Sequence, residues 1–62
     1  MNAEQLKNTQ DLYNLAKSRM DYLGNAIENF DENSEMALSN LRIALSDVLV
    51  PLNIANEDLV SI

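Results

Sequence analysis

Five side chains in this sequence have the chemistry to hold a charged, planar ligand: Tyr13, Lys17, Arg19, Tyr22 and Arg42. Tyr13 and Lys17 stand four residues apart, and Arg19 and Tyr22 three apart. Those spacings bring side chains together on a helix surface. A ring beside a cation suits a nucleotide, because the ring stacks on a base while the cation meets phosphate. The same residues have a plainer reading. Tyr13 fits a core register with its hydroxyl in water, and Lys17 and Arg19 lay apolar stems over their neighbours. Symmetry bears on the choice, since four basic residues per chain become eight in a dimer and can converge at its interface.

Catalytic chemistry finds little to work with. There is no histidine and no cysteine. Nucleophilic triads lack their usual base, di-iron carboxylate bundles lack their Glu-x-x-His pair, and thiolate metal sites and disulfides are excluded. Asp21, Glu28, Asp31, Glu32 and Glu35 read most simply as solvated charges, with a weak divalent-cation site as the alternative. A single glycine leaves no phosphate-binding loop. The expectation is a protein that is not an enzyme and needs no cofactor or metal.

Ten acidic residues against four basic ones give a formal charge of −6. That balance disfavours non-specific attraction to nucleic acid or anionic membrane. No unbroken apolar run approaches the eighteen or so residues of a membrane span, and the first residues lack the blocks of a signal peptide. The expectation is a cytoplasmic protein that does not enter membranes.

The elements that must position these residues are two helices, predicted at about 3–29 and 33–50. In the first, Leu6, Tyr13, Ala16, Met20, Leu23, Ile27 and Phe30 recur at helical spacing. A second stripe, Leu12, Leu15, Tyr22 and Ala26, lies beside it, interrupted by Arg19. Together they cover more of the helix than one hairpin contact needs. One stripe is expected to meet the second helix and the other a second chain. Asn2 is the candidate first cap, and Asp31 or Asn33 the second. Gly24 allows either a break at Leu23-Gly24 or a continuous helix; the apolar register runs on to Phe30, which favours continuity.

The second helix carries Leu38, Leu41, Leu45, Val48, Leu49 and Leu52, with Ala37 and Ala44 on one flank and a thinner stripe of Met36, Ile43 and Val50 on the other side. Pro51 lacks a donor and restricts Val50, so the helix is expected to end or kink there. The remainder, from Leu52 on, keeps Leu52, Ile54, Leu59, Val60 and Ile62, and is expected to pack as an apolar tail on the hairpin or a neighbour, with a short helix starting near Asn56-Glu57-Asp58. Sixty-two residues make one domain at the lower edge of independent folding. With disulfides and structural metals excluded, self-association is the remaining stabiliser. The expected oligomer interface is Leu12, Leu15, Met36, Ile43, Val50, Leu59 and Ile62.

Two resemblances bear on function. The short hairpin, its turn at Phe30-Asp31 and its short tail resemble the plasmid Rop proteins. That likeness implies a dimeric four-helix bundle and RNA binding, although the first helix here is acidic. Ala37-Leu38-Ser39-Asn40-Leu41-Arg42-Ile43-Ala44-Leu45 is similar to the second helix of phage hairpin proteins that block CBASS and Thoeris defence. Ala37, Leu38, Leu41 and Ala44 match, Arg42 replaces an acid, and Asp47 stands where that family has tryptophan. This second likeness implies an oligomeric sponge for cyclic nucleotides. The combined expectation is an all-α antiparallel hairpin, homo-oligomeric, acting as a small regulator or inhibitor, of the phage or plasmid type, that sequesters a protein or signalling ligand. A cyclic-nucleotide sponge is the alternative and an RNA binder the third.

Overall fold

The computed structural model describes residues 1–60. Two helices fold back on each other, α1 over Ala3–Glu28 and α2 over Glu35–Val60. Among the described residues there is no strand. The all-α hairpin expected from the periodicity is the fold. Its Cα atoms span 49 × 17 × 9 Å, so the molecule is a single layer of two helices.

Asn2 starts α1 with a reciprocal cap. Its side-chain oxygen accepts from the Gln5 N–H at 2.8 Å, and its own N–H donates to Gln5 Oε1 at 2.9 Å. Two of the free donors at the helix start are thereby satisfied. The helix then runs through Gly24 unbroken. A side chain added there would meet nothing within 4 Å, so no close contact inside the hairpin explains the glycine.

The turn differs from expectation in its details. Asp31 accepts from the Asn33 N–H at 2.9 Å, and the Ser34 N–H donates to the Asp31 carbonyl at 3.0 Å. Asp31 thus folds the turn on itself, and Ser34 is the residue before α2. Short polar side chains bond nearby backbone whether they cap a helix or close a turn. Here the turn claims Asp31.

Pro51 neither ends the helix nor frees an apolar tail; α2 continues through it to Val60. A residue at position 51 would ordinarily donate to the carbonyl of Asp47, and proline has no N–H to give. The Arg19 guanidinium reaches across from α1 and donates to that carbonyl at 2.9 Å. The orphaned acceptor is satisfied from the partner helix, while the proline ring is almost wholly buried.

The contact between the helices takes only part of the predicted stripes: Ala16, Leu23, Leu41 and Val48 are in it, and the larger members on one side are not. Buried and half-buried positions follow Leu12, Ala16, Arg19, Leu23 and Ala26 on α1, alternating four and three. On α2 they follow Ala37, Leu41, Ala44, Val48 and Pro51 with the same alternation. This seam runs between the two α1 stripes rather than along either. Its centre is Leu23, Ala44 and Val48, with Leu41 packed against them. Alanines at 16, 26, 37 and 44 keep the seam thin, so helices this narrow at the contact approach closely. The larger side chains stand to either side.

Candidate binding surface

The two sides of the seam are unlike. One side, called here the apolar face, carries Leu6, Tyr13, Met20 and Ile27 from α1, each seven residues from the next. From α2 it carries Leu38, Leu45 and Leu52 at the same spacing. All seven are 41–60% exposed. Tyr13, Met20 and Leu52 converge with Ala16 and Lys17 around a shallow depression of about 170 Å³. The periodicity had placed Tyr13, Met20, Ile27, Leu38, Leu45 and Leu52 inside the hairpin. The structure places them outside it, because the line of contact runs through Leu12, Ala16, Arg19, Leu23 and Ala26 on α1 and through Ala37, Leu41, Ala44, Val48 and Pro51 on α2.

The opposite face starts from Leu15 and Tyr22. Tyr22 is nine residues from Tyr13, about 180° around α1 at 100° per residue. It borders a groove of about 310 Å³ near the turn, with Asn29, Phe30, Ser34 and Asn40. Nearer the open end, Asn8, Asp11, Leu12, Ile54 and Asp58 line a second groove of about 380 Å³. This face has apolar floors between carboxylates and amides.

These positions divide the five candidate ligand residues. Lys17 lies over the Tyr13 ring, with Nζ 5.5 Å from its centroid, so this predicted pair forms. Arg19 is half-buried and committed to the Asp47 carbonyl. Tyr22 sits on the opposite face, away from Tyr13. Arg42 lies on another side of α2, beside Ser39, Ile43 and Ser46. Within one chain the five do not converge on one ligand.

The residues expected to join copies are divided too. Leu12 and Leu59 are half-buried within the hairpin, and Leu12 belongs to the seam. Leu15 is exposed on the opposite face. Met36, Ile43 and Val50 are exposed along the outer flank of α2. Ile62 lies outside the described residues. Among the described residues, no three metal-ligating side chains gather into a cluster.

Helix α2 is the more apolar of the two. By length and composition it is long enough to cross a membrane, although the sequence has no unbroken apolar run of that length. Only 17% of its most apolar stretch is buried in the hairpin, whereas the core helix of a soluble protein is mostly buried. Comparison with protein-family models, curated proteins and solved structures finds no match to this chain.

Proposed function

We propose that this chain is a non-enzymatic binding protein, a small acidic regulator or inhibitor that works by occupying another protein. The observation that carries the reading is the inversion of its apolar residues. Among the described residues, Leu23 and Val48 are the only large aliphatic or aromatic side chains that are buried. A hairpin so built keeps most of its apolar contact area available to other molecules. The opposite face supplies a partner surface: Leu15, Tyr22 and Ile54 are exposed there, and Asp11 and Asp58 border the groove that Ile54 lines. Apolar anchors with an acidic rim suit a basic protein surface, and the charge of −6 would speed the encounter.

Affinity capture on the tagged chain tests this. A discrete host protein is expected to be retained at low ionic strength and weakened by salt, because rim charges are screened. Tyr22→Glu and Asp11→Asn with Asp58→Asn should each reduce retention. Retention by none of the chain's faces would count against the proposal.

The nucleotide-sponge reading keeps one observation in its favour, the Tyr13–Lys17 pair. A cyclic nucleotide that binds it should raise the melting temperature, and Lys17→Ala should abolish the rise.

A further inference from the structure

We infer that the apolar face is covered by a second copy of this chain, the two hairpins stacking into four helices. The inference rests on the reading that the chain works through its exposed helix faces. It concerns a different face from the one assigned to a partner, so each can fail alone.

A layer one helix thick has nothing behind its seam, and stable domains bury apolar surface between layers. On the apolar face both helices contribute at seven-residue spacing, the repeat that keeps a stripe aligned with neighbouring helices over many turns. Tyr13 and Met20 flank Leu52. Continuing that antiparallel register by seven residues sets Leu45 between Met20 and Ile27, and Leu38 beyond Ile27 toward the turn. The result is a ladder of apolar rungs running the length of the hairpin. A ladder built alike from both helices is complementary to itself, as a twofold interface requires.

Area and charge agree with that occupant. The seven side chains, with Leu49 beside them, expose on the order of 700 Å², close to the roughly 800 Å² per partner of a stable interface. The two stripes hold no charged residue. Lys17 is a helical neighbour of Tyr13 and Met20, Arg42 of Leu38 and Leu45, and Glu35 of Leu38. Two of the four cations of a chain with net charge −6 therefore border this face, where they offset repulsion between two acidic copies.

Sedimentation equilibrium of the purified chain tests the inference, together with thermal melts followed by helical circular dichroism. The unaltered chain is expected to sediment at twice the chain mass. Its melting temperature should rise with concentration between about 1 μM and about 1 mM, as it does when assembly is coupled to folding. Met20→Glu and Leu45→Glu should lower the association constant at least tenfold. Ile43→Glu, on the outer flank, should leave assembly unchanged. The melts of the unaltered chain decide the matter even if a Glu variant loses its helices. A monomer whose melting temperature is independent of concentration overturns the proposal. So does a trimer or larger species, a dimer broken by Ile43→Glu and not by Met20→Glu, or a monomer that partitions into lipid vesicles.

Discussion

The apolar face and the opposite face share one seam and one register, yet they differ in what they offer. On α1 the equivalent positions are Leu6, Tyr13, Met20 and Ile27 on one side and Asn8, Leu15, Tyr22 and Asn29 on the other. On α2 they are Leu38, Leu45 and Leu52 against Asn40, Asp47 and Ile54. One side is apolar at every rung, and the other alternates apolar anchors with amides and a carboxylate. An unbroken apolar ladder loses least when it stays covered, whereas a face of isolated anchors tolerates water between engagements. The difference is what a surface for permanent assembly and a surface for exchange, as proposed above, would each require.

The two faces should respond unequally to an added charge. A carboxylate at Met20 would be carried under the second copy with only Lys17 at the margin to offset its desolvation, and assembly should weaken by about 3 kcal/mol, roughly 100-fold. Leu15→Glu on the opposite face should cost under about 0.5 kcal/mol. Equal effects in sedimentation would erase the distinction between the faces.

Ala44 is 1% exposed at the centre of the seam that both faces share. Ala44→Leu would wedge the helices apart and should cost about 2 kcal/mol in chemical denaturation. A neutral result would mean the seam is not closely packed.

Arg19→Met should cost about 1 kcal/mol by removing the donor to the Asp47 carbonyl. In a Pro51→Ala background position 51 regains its own N–H, and the same change should cost less. A double-mutant cycle that finds no coupling would refute the pairing of Arg19 with Pro51.

Gly24 lies at the margin of the apolar face. Gly24→Ala should stabilise the chain by about 0.5–1 kcal/mol, read as a rise in melting temperature, because nothing occupies the space of the added methyl.

Much of the fold was legible in the residues. The three-and-four spacing located both helices, Asn2 was identified as a cap, and the unbroken register across Gly24 argued for one continuous α1. Two features were not legible, for physical reasons. Periodicity reports an apolar arc but not which part of a wide arc meets its neighbour. The alanines at 16, 26, 37 and 44 mark the line of contact, and they contribute little to a hydrophobic stripe. Pro51 carried a strong local signal for a helix end. It was overridden by a contact twenty-eight residues away in sequence, from Arg19 to Asp47. The candidate site was less legible than the fold. Tyr13 and Lys17 meet as their spacing implied, whereas Arg19, Tyr22 and Arg42 went to three other places once the seam was set.

The two tyrosines offer the most direct test, since the chain has one on each face. In the isolated hairpin Tyr13 is 56% exposed and Tyr22 64% exposed, so the bare molecule should let a solvent-borne reagent modify both at similar rates. Site-resolved tyrosine nitration of the assembled protein, read by peptide mass spectrometry, separates the cases. Coverage of the apolar face by a second copy predicts that Tyr13 reacts several-fold more slowly than Tyr22, and that Met20→Glu removes the protection. Equal reactivity at a concentration where the chain is fully folded would contradict the account.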